Sequence, residues 1–263
     1  MATLDERTRT IHETLGGDVT LPDLTTYDAV LFDLDGVLTP TAEVHMHAWR
    51  TMFEQLFAAW DVTPAYTDTD YFEYLDGKKR YDGVASLLRS RDIEVPWGEP
   101  SDTPDRDTVC GIGNRKNEVF AAILRSEGIE PYPGSVALLD LLQDQGVPVA
   151  VVSSSKNADE VLRAAGLRDR FEVVVDGVLA ENENLASKPA PDVFAAGARL
   201  LGVDPATSAA VEDALSGVRS AVAAGYGLVV GVDRGVGEGS LAEAGASVVV
   251  PDLGVFVPDT SAS

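Results

Sequence analysis

In the stretch Asp33-Leu34-Asp35-Gly36-Val37-Leu38-Thr39, two carboxylates stand one residue apart, directly after a short apolar run at 29–32. A strand ending there points both acids to the same side, at the edge where open α/β sheets bind ligands. One carboxylate can attack phosphorus and become an acyl phosphate. A second acid beside it can give a proton to the leaving oxygen and take one from the incoming group. Asp33 suits the first task and Asp35 the second. A turn in which Asp and Gly merely satisfy the backbone would read the same way.

Three later stretches carry chemistry at comparable places. Ser153-Ser154-Ser155-Lys156-Asn157 follows an apolar run and precedes a helical pattern, so its hydroxyls and backbone N–H groups offer a phosphate cradle, or an ordinary helix cap. Ser187-Lys188-Pro189-Ala190-Pro191-Asp192 holds a lysine just before a helix that Pro191 can start, where it could neutralise a transferring phosphoryl group or lie solvated on the surface. Glu212-Asp213-Ala214-Leu215-Ser216-Gly217 ends a fourth apolar run with a second acidic pair. Four converging carboxylates repel one another unless a hard cation such as Mg²⁺ joins them. Placement at a helix N-terminus would account for Glu212 and Asp213 without a metal.

The elements that must position these groups are legible as alternating periods. Short β-branched runs at 29–32, 147–152, 173–175, 209–211, 228–232 and 248–250 read as buried strands. Helical patterns at 135–145, 158–165, 191–201 and 217–224 end at Gly146, Gly166, Gly202 and Gly225. This alternation predicts a doubly wound parallel sheet covered by helices on both faces. About a hundred residues separate the first strand from the second, far more than a crossover needs. An inserted helical domain is expected there, with helices at 42–59, 81–91 and 117–127 and a polar, Pro-rich surface loop at 94–107.

Lys and Arg total 20 against 43 Asp and Glu, a formal charge of −23. Such a surface repels phosphate backbones, so nucleic acid is not an expected partner. An anionic small substrate requires the few basic residues to gather where it binds; Lys78-Lys79-Arg80 and Arg115-Lys116 are the two clusters. No apolar run approaches the roughly 18 residues of a membrane span. The first 26 residues lack a basic start and an apolar stretch, so a cytoplasmic protein without a signal peptide is expected. A single cysteine, Cys110, excludes an internal disulfide and a multi-cysteine metal site.

In order and spacing, the four stretches resemble the four motifs of the haloacid dehalogenase superfamily. The resemblance implies a Rossmann-like core at 27–40 and 129–263, a helical cap at 41–128 and an N-terminal extension at 1–26. It implies Asp33 as nucleophile, Asp35 as acid/base and backbone metal ligand, Ser153, Ser154 and Lys188 as phosphate-binding groups, and Glu212 with Asp213 on the Mg²⁺ side. DLDGVLTPTAEVHMHAW, SSSKN, SKPAPDVF and VEDALSG are further similar to the β-phosphoglucomutase group. That similarity implies that His45 takes part in cap closure and acid/base positioning. It implies that Arg80 grips the non-reacting phosphate, that Lys156 and Asn157 assist at the phosphate, and that Thr41, Trp49, Gly77 and Lys116 serve the substrate or cap.

The activity so implied is conversion of β-glucose 1-phosphate to glucose 6-phosphate through β-glucose 1,6-bisphosphate, by a monomer acting on a small phosphorylated sugar. A sugar-phosphate phosphatase with the same core is the alternative. A non-catalytic phosphosugar-binding module is a remoter one. Pro40 and Asp76 depart from the group's pattern, where relatives carry an acid and a lysine, and 94–113 is longer than a minimal cap. All three departures bear on substrate choice rather than on core chemistry.

Overall fold

The structure, a computed structural model, describes residues 8–11, 19–75, 78 and 80–258. The chain divides into two compact units, one of Met1–Pro40 with Ile129–Ser263 and one of Thr41–Gly128. It opens with an antiparallel pair, β1 (Thr8–Ile11) and β2 (Val19–Pro22), and then enters β3 (Val30–Phe32). The second unit follows: α1 (Thr41–Ala59), a turn α2 (Asp68–Asp70) that runs into a π-helical turn (Tyr71–Leu75), α3 (Arg80–Arg89) and α4 (Val109–Glu127). The chain returns through α5 (Pro133–Asp144) to β4 (Val149–Val152), α6 (Ala158–Ala164), β5 (Val173–Val175), α7 (Gly177–Asn182) and α8 (Asp192–Leu201). It ends with β6 (Ala209–Glu212), α9 (Leu215–Ala223), β7 (Leu228–Val232), α10 (Glu238–Ala244) and β8 (Val248–Val250).

Six strands form one sheet in the order β5-β4-β3-β6-β7-β8, every pair parallel. Burial on both faces explains why these strands read as unbroken Val and Ala runs rather than as alternating ones. The expected doubly wound α/β architecture is what the chain adopts. From β3 the strand order grows outward to β5, then returns to β6 on β3's other side. The switch point therefore lies between β3 and β6, where Phe32 pairs with Val211 and where such sheets open a crevice for ligands. Beneath it, Leu31, Ala150, Val152 and Ala210 pack with Phe194 and Val218 from the helices. Gly197 of α8 makes this layer close: a Cβ there would lie 2.6 Å from Leu31 Cδ2.

The second unit is a helical body with its own core. On α1, Trp49, Met52, Phe53, Leu56 and Phe57 recur at helical spacing and are buried with Val84, Leu87 and Leu88 of α3 and Ile112 of α4. The second strand begins at Val149 rather than at 147, because Pro148 has no N–H to give; its carbonyl accepts from Val30 N at 3.0 Å. A larger departure is α4, which starts at Val109, eight residues before the expected 117. Glycine lowers helix propensity, so Gly111 and Gly113 masked the first two turns. Both glycines are contact points: a Cβ on Gly111 would meet the Arg106 carbonyl at 2.4 Å, and one on Gly113 the Tyr81 ring at 2.7 Å.

Segment 94–107 carries no helix or strand, as expected, yet it is tied down. Val109 N donates to the Pro96 carbonyl at 2.9 Å and Cys110 N to Trp97 at 3.0 Å. Asp102 accepts from Thr108 Oγ1 at 2.7 Å and from Glu99 N at 3.1 Å. The short helices α7 and α10 lacked a long enough apolar period to be foreseen, although Asp176 caps α7 by accepting from Val178 N and Leu179 N. Among the described residues, no helix is long and apolar enough to cross a membrane.

One buried ion pair braces the second unit. Arg91 Nη2 donates to both Asp70 oxygens at 2.7 and 2.8 Å, with side-chain exposures of 9% and 6%. Removing the guanidinium would strand a carboxylate away from water. Arg91→Met is therefore expected to cost about 3 kcal/mol of stability, read as a lowered midpoint in urea unfolding. A loss below about 0.5 kcal/mol would mark the pair as no more than a surface contact.

Candidate active site

The switch point gathers charge around one ammonium. Lys188 Nζ donates to Asp33 Oδ1 at 2.5 Å, to Glu212 Oε1 at 2.5 Å and to the Val152 carbonyl at 3.0 Å. Three protons meet three acceptors from three strand ends. The Lys188, Asp33 and Glu212 side chains are 7%, 9% and 1% exposed, so the group is sealed from water. Burial alone would depress the Lys188 pKa, but Asp33 and Glu212 more than offset it and hold the value above the ordinary one. Burial drives Asp33 well above the carboxylate range. Lys188 opposes that rise, and Glu212, Asp35 and Asp213 add to it.

Asp33, Glu212 and Asp213 each present an oxygen to this spot, all within 4.8 Å of one another. Asp213 is pushed up to about 7, by burial first and then by Glu212 and Asp35. Glu212 has a second engagement, accepting from Ala214 N at 2.8 Å through Oε2. Both Glu212 oxygens are therefore engaged, one by Lys188 and one by the turn that leads into α9. Two glycines make the convergence possible. Gly36, at φ +81°, would place a Cβ 1.9 Å from Asp213 Oδ2, and Gly217 would place one 1.7 Å from Glu212 Oε1. Any side chain at either position would displace a carboxylate.

The loop after Asp33 does form the tight turn that an Asp-Gly pair favours. Gly36 N donates to the Thr39 carbonyl at 2.8 Å, and Leu38 N and Thr39 N both donate to the Leu34 carbonyl. Arg234, which no sequence pattern singled out, holds this turn from outside: its Nε donates to the Gly36 carbonyl at 2.8 Å while its guanidinium stacks 3.7 Å from the Tyr132 ring. Within the turn, Asp35 Oδ2 accepts a long bond of 3.4 Å from Ser153 Oγ, which ties motif one to the Ser stretch.

That stretch is partly self-satisfied. Ser155 N donates to Ser153 Oγ at 3.0 Å and Asn157 N to Ser155 Oγ at 3.1 Å, so two of the N–H groups expected to cradle phosphate are engaged by neighbouring hydroxyls. Ser153 is buried, whereas Ser154 is exposed. Lys156 is also exposed, and its ammonium pairs with Glu181 at 2.8 Å instead of joining the carboxylate cluster.

In the helical unit, Lys116 and His45 meet. Lys116 Nζ lies 2.6 Å from His45 Nδ1. An ammonium can only donate, so Nδ1 accepts and the ring proton resides on Nε2. His45 stacks on Phe120 at 4.3 Å, and the Lys116 ammonium lies 4.8 Å from the Phe120 centroid and 5.2 Å from that of Trp49. Trp49 is stacked on Phe53 and 7% exposed, packed in the core of this unit. Thr41, fully buried, is the first residue of α1. Arg115 turns away from Lys116 to donate to the Pro104 carbonyl at 2.7 Å. Lys78 donates to Ser86 Oγ at 2.8 Å, and Arg80 Nη1 to Asn114 Oδ1 at 3.4 Å. Gly77, with Asp76 and Lys79, lies outside the described residues.

His45 is pushed down to about 3, by burial first, then by Lys116 and Arg80. The folded protein thus binds fewer protons than the unfolded chain between that value and the ordinary 6.5. Stability falls as pH drops through this window. The His45 ring signals in an NMR titration are expected to stay constant from pH 8 to pH 5. Lys116→Met should move the titration upward, though not to the ordinary value, because burial remains. A transition near 6.5 in the unsubstituted protein would refute the Lys116–His45 contact.

Known proteins match this arrangement across both units. A family model of haloacid dehalogenase-like hydrolases matches residues 27–225. The β-phosphoglucomutase of Mycobacterium bovis is 47% identical over 238 residues, covering 86% of this chain and 89% of that protein. That of Bacillus subtilis is 33% identical over 207 residues, covering 79% and 84%. The crystal structure of CbbY from Rhodobacter sphaeroides in complex with phosphate superposes with a TM-score of 0.64 at 28% identity, over 87% of this chain and 95% of that one. With the acidic strand ends and the helical segment between them both inside the match, this chain is an enzyme of the haloacid dehalogenase-like hydrolase family, in its β-phosphoglucomutase group.

Proposed function

We propose that the enzyme is a β-phosphoglucomutase, using Asp33 as a covalent nucleophile on β-glucose 1-phosphate and its bisphosphate. The observation that carries this reading is the buried Lys188 ammonium on Asp33. Its donated proton stabilises the ionised form of Asp33 against the burial and the neighbouring acids that raise the pKa, and the ionised form is what attack on phosphorus requires. Asp33 Oδ takes the phosphoryl group from the bisphosphate as the phosphorus–oxygen bond to the sugar breaks, and Asp35 supplies the proton to the departing oxygen. The monophosphate so formed leaves, and the 6-hydroxyl of an incoming β-glucose 1-phosphate attacks the aspartyl-phosphate, giving its proton to Asp35, restoring the Asp33 carboxylate and forming a new bisphosphate. The bisphosphate turns round, its other phosphate passes to Asp33, and glucose 6-phosphate leaves.

The donor set of Asp33, Asp213, Glu212 and the Asp35 backbone carbonyl is hard oxygen throughout and suits Mg²⁺. When bound, Mg²⁺ would offset the carboxylates' mutual repulsion and the charge on the transferring group. Glu212 contributes mainly by fixing Lys188, since both of its oxygens are engaged. Ser153 sits beside Asp35 and supports the phosphate side. Ser154, Lys156 and Asn157 are assigned there by family resemblance, as are Arg80 on the non-reacting phosphate and His45, Thr41, Trp49, Gly77 and Lys116 in the cap. A sugar-phosphate phosphatase is the second reading. It is favoured by the match to a family model of hydrolases and differs only in that water receives the phosphoryl group from Asp33.

One assay separates the two. With β-glucose 1-phosphate, Mg²⁺ and a trace of β-glucose 1,6-bisphosphate, glucose 6-phosphate should accumulate with little free phosphate; stoichiometric phosphate release would replace the mutase by the phosphatase. Asp33→Asn should lower either turnover by at least about a thousandfold, and an undiminished rate would end both readings.

The metal has its own readout. Asp213, pushed up to about 7 from its ordinary 3.8, binds a proton in the folded state that the unfolded chain has lost between those values. Without metal, stability therefore falls as pH rises through that window. Saturating Mg²⁺ should raise Tm more at pH 8 than at pH 5, because Asp213, one of the carboxylates that it would join, is deprotonated only at the higher value. Asp213→Asn should flatten the difference. Equal shifts at both pH values would remove Mg²⁺ from this site.

A further inference from the structure

Asn114, in the second turn of α4, has every valence of its side-chain amide occupied. Nδ2 donates to the Pro100 carbonyl at 3.0 Å and to the Asp102 carbonyl at 2.8 Å. Oδ1 accepts from the Tyr81 hydroxyl at 3.0 Å and from Arg80 Nη1 at 3.4 Å. The partners dictate which end is oxygen, since two carbonyls require donors and a guanidinium requires an acceptor. No other side chain of this length supplies two donors and an acceptor in one plane. Aspartate would set a carboxylate against two carbonyl oxygens, and leucine would leave all four partners unmet.

Gly113 completes the seat. A Cβ there would come within 2.7 Å of the Tyr81 ring and 3.3 Å of Arg80 Cδ, so the first turn of α3 lies directly on the bare backbone of α4. Tyr81 in turn lies 5.7 Å from the Arg80 guanidinium. The loop on the far side of Asn114 is fixed to α4 at further points, through Pro96, Trp97 and the Arg115 bond to the Pro104 carbonyl. A long, rotamer-rich arginine at a helix start is therefore bounded by an aromatic ring and a glycine, and is joined to the loop through Asn114.

We propose that Asn114 is the positioning residue of Arg80, coupling the loop at 94–107 to the guanidinium that grips the substrate's second phosphate. This deepens the reading above and rests on it, because it needs Arg80 to be that grip. Pre-orienting the arginine lowers the ordering cost of binding. The extended segment of the cap thereby acts on affinity for bisphosphate rather than on the phosphoryl-transfer step.

Steady-state kinetics of the full-length enzyme, Asn114→Ala, Arg80→Ala and the double variant test this with β-glucose 1,6-bisphosphate and, separately, with acetyl phosphate, a donor that has no second phosphate. Asn114→Ala should raise KM for the bisphosphate about tenfold, the loss expected for a bond to a charged group, with kcat within about twofold. Its acetyl phosphate hydrolysis should be unchanged. In the Arg80→Ala background the same substitution should add nothing, since the residue that it positions is gone. Additive effects in the two backgrounds, or a parallel fall in acetyl phosphate turnover, would overturn the proposal and leave the Arg80 grip standing. A normal bisphosphate KM in Arg80→Ala would remove the grip itself and the proposal with it. Should Asn114→Ala be insoluble, Tyr81→Phe, which removes one bond to the same amide oxygen, takes its place with a smaller rise in KM expected; an unchanged KM would again overturn the proposal.

Discussion

Lys188 gives its three protons to the ends of three strands: Asp33 after β3, Glu212 closing β6 and the Val152 carbonyl closing β4. Sealing an ammonium from water costs several kcal/mol unless its partners replace the lost solvation, and the same holds for each carboxylate beside it. None of the three can be buried without the other two. The strands that carry them must therefore end level with one another, and they do, because β3 pairs in register with both β4 and β6. Charge pairing thus sets a geometric condition that the parallel sheet already meets.

The acids can crowd together only where backbone yields space. Gly36 and Gly217 mark the two approaches, one under Asp213 and the other under Glu212, and a methyl group at either would sit inside a carboxylate. Gly36 does double duty, since the turn after Asp33 needs a positive φ there. Asp-Gly as a turn signal and Asp-x-Asp-Gly as a catalytic signal are therefore one requirement. The turn delivers the second acid, and the glycine in it admits the acid from the other strand.

What could be read from the chain follows from which forces are local. The α/β alternation was legible because a doubly covered parallel sheet demands unbroken apolar runs, and Val149–Val152 and Leu228–Val232 supply them. The acidic strand ends were legible because strand termination and chemistry share the same residues. Convergence of Lys188 on Glu212 was not, since 24 positions of chain separate them and nothing in SKPAPD points to a particular strand. The start of α4 was hidden for a related reason: Gly111 and Gly113 look like helix breakers, and their use becomes visible only when Arg106 and Tyr81 are seen lying against them. Arg234 and Asn114 escaped notice because one polar residue in a loop or helix carries no period, and their roles exist only through tertiary partners.

A protein with 23 excess negative charges and a phosphorylated sugar as its proposed substrate faces an electrostatic contradiction, and the distribution of its cations bears on it. Several exposed or half-buried basic groups are already paired with neighbouring acids: Lys156 with Glu181, Arg163 and Arg168 with Asp159, Arg170 with Asp140, and Arg199 with Glu183. Such pairs contribute little stability individually, but each leaves one cation fewer on the surface for an anion to meet. Lys188 and Lys116 are withdrawn from it instead, the first held by carboxylates and the second by a neutral imidazole and two aromatic faces. A cation in a low-dielectric setting acts more strongly at short range than one in water, whereas the diffuse surface charge is screened within roughly 8 Å at physiological salt. Repulsion from the surface is therefore weak beyond that distance, and the two withdrawn cations stay out of the screening solvent.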